Sequence, residues 1–166
     1  MPFLHLLLLA FAPADGPLLT MDEWVHDWEV SRDFTLAVAQ KMPADQYNFR
    51  ATPEEMSFGQ MSMHIAAAIV FRFEQVSGVK AGIDTKVSNK EGVLRVVKES
   101  FDYAIRMLPK ISHEQLAQSF VVNWEGRKEA IGRQIVLAMF AHTAHHRAQL
   151  EVYLRLKGIA PPTYTF

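Results

Sequence analysis

Cysteine is absent from this 166-residue chain. That excludes disulfides, thiolate nucleophiles, cysteine-type zinc sites and iron–sulfur clusters together. A transition metal would have to be held by imidazole, carboxylate or water. A dominant charge is also missing. Lys and Arg number 17, Asp and Glu 18, and the formal net charge is -1, with no basic stripe. Nucleic acid is therefore not an expected partner. No apolar run reaches the length of a membrane-spanning helix, so stable membrane insertion of the domain is not expected. Internal repeats and low-complexity stretches are lacking as well. What is present is a hydrophobic fraction of 49%, enough to build a real core in one domain of this length.

The first 14 residues stand apart. Phe3, Leu4, Leu6 to Leu9 and Phe11 form a short apolar block, and Ala12-Pro13-Ala14 offers an A-x-A site before Asp15. The pattern is that of a secretory signal peptide over 1–14, although its n-region holds no Lys or Arg. It predicts export to a periplasmic or secreted location. The alternative is an apolar tail on a cytoplasmic protein, or a true start at Met21.

From Thr20 onward the chain reads as helices. Thr20-Met-Asp-Glu23 is a capping box, and Trp24, Trp28, Phe34, Val38 and Met42 then recur at helical spacing up to Pro43. Asp27 and Ser31 share that stripe. A second helix starts at a Thr52 or a Ser57 cap and ends at Gly78. Its predicted stripe is Met61, His64, Ala67, Ala68, Phe71 and Gln75. A third opens at Ser88-Asn-Lys-Glu91, carries Leu94, Val97, Phe101, Ala104, Ile105 and Leu108, and closes at Pro109. Residues 112–127 read as irregular, with Phe120 to Trp124 either briefly extended or lying across the bundle mouth. The last helix is expected from about Lys128 to Lys157, with Gly158 as its stop. The expected fold is all-α, a four-helix bundle over 20–162.

The histidines carry the chemistry. His142 and His146 are four apart, so they stand one turn above each other on one helix face. At about 100° per residue, Ile135, Met139, Gln149 and Tyr153 share that face. The two imidazoles thus fall on an apolar stripe, with His145 at its flank. His64 is the third inward-facing histidine, and Gln60 precedes it by one turn. One reading is a set of hydrogen-bonded core histidines. The other is a metal site, because i,i+4 spacing is how a helix brings two imidazole nitrogens to one ion. The glutamate of the H-E-x-x-H protease motif is missing here.

Three segments together resemble the DinB-like family. They are Glu55 to Ala66 (E-M-S-F-G-Q-M-S-M-H-I-A), His142 to Leu150 (H-T-A-H-H-R-A-Q-L), and the tail Tyr153 to Pro162. The resemblance spans about residues 20–162. It implies an up-down-down-up four-helix bundle, with a divalent metal (zinc, nickel or iron) on His64, His142 and His146. It also implies kinship with S-transferases and isomerases that use a low-molecular-weight thiol.

Three classes of function follow. A metal-dependent enzyme of transferase or hydrolase type would use open coordination positions for a small-molecule substrate. A binding module would capture a ligand without turnover. A structural ion would tie two helices together. Gln60, Asp27, Ser31 and Tyr153 are the polar groups expected around the metal, none of them a convincing general base, so no catalytic residue is assigned. A homodimer is expected from aromatic residues near the bundle edges.

Overall fold

The computed structural model describes residues 19–164 except 88 and 125, and leaves the side chains of 124 and 127 undescribed. The apolar block at 1–14 lies outside the described residues, as does Ser88. Four long helices, α1 (Met21–Lys41), α2 (Phe58–Ser77), α3 (Lys90–Met107) and α5 (Gly132–Leu156), form the body. Between α3 and α5 lie a short helix α4 (His113–Ala117) and two antiparallel strands, β1 (Ser119–Trp124) and β2 (Arg127–Ile131).

Local chemistry sets the helix starts. Thr20 and Glu23 form the capping box of α1, each side chain accepting from the other's backbone N–H. Ser57 and Gln60 do the same for α2, so α2 begins at the Ser57 cap and not at Thr52. Asn89 caps α3 by accepting from Gly92 N. Gly78, at a φ of 72°, ends α2 in the left-handed region where glycine is cheapest.

The contacts between helices give their directions. Lys90, at the start of α3, donates to the Gln40 and Met42 carbonyls at the end of α1, so these two run antiparallel. Ser77 meets Tyr103, late in both α2 and α3, which makes that pair parallel. Tyr153 near the end of α5 donates to the Met56 carbonyl just before α2, another antiparallel pair. Trp24 packs on Phe140, and Ser31 accepts from Arg147, so α1 and α5 are parallel. The order is therefore up-down-down-up.

Parallel neighbours α2 and α3 need a connection that returns the length of the bundle. Twenty helical residues span about 30 Å, and the twelve residues between α2 and α3 reach that far when extended. Tyr103 donating to the Val79 carbonyl, and Glu74 accepting from Ala81 N, pin this return.

Trp28 is the centre of the core. It is fully buried and touches one ring from each other long helix: Phe73 at 5.1 Å, Phe101 at 5.9 Å and Phe140 at 5.5 Å between centroids. Edge-on packing of this kind suits the opposed charge of ring face and ring edge.

Three sequence expectations need correction. Residues 127–131 form β2, so the last helix starts at Gly132 and not at Lys128. The fold is thus not purely helical. On α2, Ala67 and Phe71 are exposed, and the buried face is instead Met61, Ile65, Ile69, Phe73 and Val76. A stripe drawn through His64 was centred about a third of a turn off, because His64 sits at the edge of the buried face. Among the described residues, no helix is long and apolar enough to cross a membrane.

A three-histidine candidate metal centre

His64 on α2 faces His142 and His146 on α5 across the antiparallel pair. The Nε2 atom of His142 lies 3.1 Å from Nε2 of His64 and 3.1 Å from Nε2 of His146. One ligand atom from each of the three residues falls within 4.8 Å of the others. All three side chains are half-buried. His145 is exposed, its ring packed edge-on against His146.

Hydrogen bonding cannot satisfy this cluster. A neutral imidazole nitrogen either donates one proton or accepts through one lone pair. His142 Nε2 has two equally near nitrogen neighbours and can bond well with only one. Its other nitrogen, Nδ1, is buried with no hydrogen-bond partner, which an ion on Nε2 would not change, so this nitrogen does not bear on the metal. His146 is oriented differently. Its Nδ1 lies 2.6 Å from Gln149 Oε1, so Nδ1 carries the proton and donates, leaving the Nε2 lone pair directed at the cluster. That is the arrangement by which an outer hydrogen bond fixes a metal-binding histidine.

The donor set fits a divalent ion. Metal–imidazole bonds of about 2.0–2.1 Å put neighbouring nitrogens roughly 2.9 to 3.4 Å apart at ordinary coordination angles. The two 3.1 Å separations about His142 fall in that range, and the third pair, His64 and His146, lies within 4.8 Å. The protonation state fits too. Burial, then the positive charge of His146, His64, His145 and Arg72, pushes His142 down to about 4. Burial also lowers His146, partly opposed by its bond to Gln149. Both therefore offer neutral nitrogens at neutral pH.

The four polar groups expected around the metal are otherwise engaged or lie elsewhere. Gln60 accepts from Ser57 N and from Arg50, within the α2 cap. Tyr153 spends its hydroxyl on the Met56 carbonyl. Asp27 and Ser31 line a different cleft, between α1 and α5. Sequence reasoning placed Gln149 on the histidine face without seeing its role, although its position three residues after His146 was the available signal. It assigned no role to Arg72, which donates to the Val122 carbonyl, while Gln75 donates to that of Val121. Together they hold β1 against α2.

The model of the DinB superfamily matches residues 27–150, most of the chain and all three histidines. The chain belongs to the DinB superfamily. YjoA of Bacillus subtilis is 23% identical over 129 residues, covering 76% of this chain and 84% of YjoA. The crystal structure of YjoA, a DinB-like protein, superposes with a TM-score of 0.66 at 19% identity, over 86% of this chain and 94% of that one. A DinB-like protein from Bacillus cereus gives 0.70 at 15% identity, over 87% and 97%. At these identities the structural likeness speaks for the DinB fold.

Proposed function

We propose that this DinB-superfamily protein is a divalent-metal-dependent enzyme acting on a small molecule, either a transferase with a low-molecular-weight thiol as co-substrate or a hydrolase. His64, His142 and His146 would hold zinc, nickel or iron through their Nε2 atoms. The observation that carries the reading is the convergence of three Nε2 atoms, which hydrogen bonds among themselves cannot all satisfy, with Gln149 holding His146 in the ligating tautomer. Such an ion supplies Lewis acidity. Three protein ligands leave coordination positions open, as catalytic sites require. The chain's own part is to orient the imidazoles across α2 and α5 and to keep His142 neutral by burial.

A second reading is a structural ion or a non-catalytic ligand site. It is favoured by the engagement of Gln60 and Tyr153 elsewhere, which leaves the cluster without a side-chain base among the polar groups expected there. Elemental analysis of purified protein tests metal content, followed by a thiol-transfer screen. Cobalt substitution separates the readings. An open site changes its visible spectrum when azide or a thiol is added, and a closed one does not. A homodimeric state is also proposed. Export of the domain after removal of 1–14 goes with the hydrolase or binding readings, and a cytoplasmic location goes with the thiol-dependent one, because an exported domain would meet little cytosolic thiol.

A further inference from the structure

Arg147 follows a candidate metal ligand in sequence but points elsewhere. It is 8% exposed, and its Nη1 donates to the Ser31 carbonyl, to Ser31 Oγ at 2.9 Å and to Thr35 Oγ1. The guanidinium lies over the Phe34 ring, 4.7 Å from its centroid. All of these partners are neutral. Among the described residues no carboxylate lies within ion-pair distance of Arg147. Glu151, one turn further along α5, pairs with Arg155 at 3.8 Å and acts on Arg147 only as a more distant charge that offsets part of the cost of its burial. A buried arginine is ordinarily paired, because an uncompensated buried charge is costly.

Arg147 also lines a cleft of about 320 Å³ between α1 and α5, a volume at the small end of ligand pockets. Asp27 lines this cleft too, half-buried and with no hydrogen bond or ion pair among the described residues. Asp27 is four residues before Ser31, which anchors Arg147, so its backbone stands about 6 Å along α1 from that of Ser31, on the same face. Val30, Phe140 and Ala144 supply apolar wall, and Tyr164 is a further wall. A simple anion would meet Asp27, and a simple cation would meet Arg147. A ligand with both charges a few ångströms apart suits the pair.

We propose that the cleft between α1 and α5 binds a free apolar α-amino acid as its zwitterion, with the carboxylate on the Arg147 fork and the ammonium on Asp27. The planar guanidinium matches a carboxylate in two-point geometry, and the aliphatic side chain lies against Phe140 and Val30. The site is separate from the histidine cluster and does not depend on the metal reading.

The test is calorimetric titration of the full chain with L-leucine, isocaproate (leucine without its amino group) and isoamylamine (leucine without its carboxylate). Each titration is run with and without chelator. Leucine is expected to bind under both conditions, with each analogue weaker by about tenfold or more, the value of one charged hydrogen bond. Asp27→Asn should weaken leucine but not isocaproate. Arg147→Lys should weaken leucine and isocaproate alike. Where Arg147→Met does not fold, these two milder variants still decide the matter. The proposal falls if wild-type protein gives no heat at millimolar leucine, if isocaproate binds as well as leucine, or if Asp27→Asn binds leucine unchanged. Leucine binding that disappears with chelator belongs to the ion and also overturns it.

Discussion

Single side chains decide the metal question. His64→Ala, His142→Ala and His146→Ala should each abolish stoichiometric metal binding by elemental analysis, since two imidazoles hold an ion far more weakly than three. His145→Ala should retain it, because that ring is exposed and outside the cluster. If His145→Ala loses metal and His146→Ala keeps it, the ligand assignment is one residue off. A pH dependence follows from the same residues. His142 is depressed to about 4 in the folded protein, against about 6.5 for an exposed histidine. The folded state then binds fewer protons than the unfolded state between those values. The stability linked to neutral His142 is therefore fully present above about pH 6.5 and is lost as pH falls toward about 4. Bound metal strengthens the effect, because protons compete with the ion for each ligand. Thermal melts from about pH 8 to about pH 4 should show the holo protein above the chelated protein at the alkaline end, with the two curves merging in acid. Coincident curves throughout would mean that no stabilising ion is bound, returning the cluster to a set of core histidines.

At the level of elements, the α4–hairpin insertion is joined to α5 by a close backbone approach. A Cβ built on Gly132 would lie 2.3 Å from the Gln115 carbonyl oxygen and 3.0 Å from Leu116 Cα, so α4 and the first turn of α5 touch through a position without a side chain. Gly132→Ala should destabilise the fold by about 1–3 kcal/mol, the usual cost of overpacking, read from chemical denaturation. An unchanged midpoint would show that α4 can move away freely. Lys128 to Ile131 looked like the first turn of a helix in sequence because Ile131, Ile135 and Ala138 keep helical spacing. Pairing with β1 took these residues instead, Phe120 opposite Ala130 and Val121 opposite Glu129. Such pairing joins residues about ten apart and depends on Arg72 and Gln75 holding β1 against α2. A local window contains none of that information.

For the molecule as a whole, one residue joins the four helices. Trp28 meets Phe73, Phe101 and Phe140, so Trp28→Ala should cost about 3–5 kcal/mol and loosen the bundle as a unit, not one helix of it. The loss of metal affinity should follow, since His64 and the His142–His146 pair sit on different helices. Intact metal binding in a strongly destabilised Trp28→Ala protein would mean that α2 and α5 hold the site without the shared core. The N-terminal segment is tested separately. If 1–14 is a signal, protein recovered from its native host should begin near Asp15 by mass spectrometry, and an intact Met1 would remove the export proposal. Deletion through Pro17 should leave the melting temperature nearly unchanged, because α1 is closed by its own Thr20–Glu23 box.

The sequence by itself determined what depends on near neighbours. The caps at Thr20 and Ser57 and the stop at Gly78 each act within one turn, so their residues suffice to place them. The i,i+4 spacing of His142 and His146 likewise puts both on one helix face whatever surrounds it. Only the tertiary structure decided what each face meets. It turned His64 toward the pair on α5, gave His146 its Gln149 partner, and left His142 Nδ1 unpartnered. It also moved Asp27 and Ser31, which share the α1 stripe, away from the histidines and toward Arg147. Helical periodicity reports that a face is covered. The partner covering it is set by the order and direction in which the helices assemble, which here brings α2 and α5 together antiparallel on one side and α1 and α5 together parallel on the other.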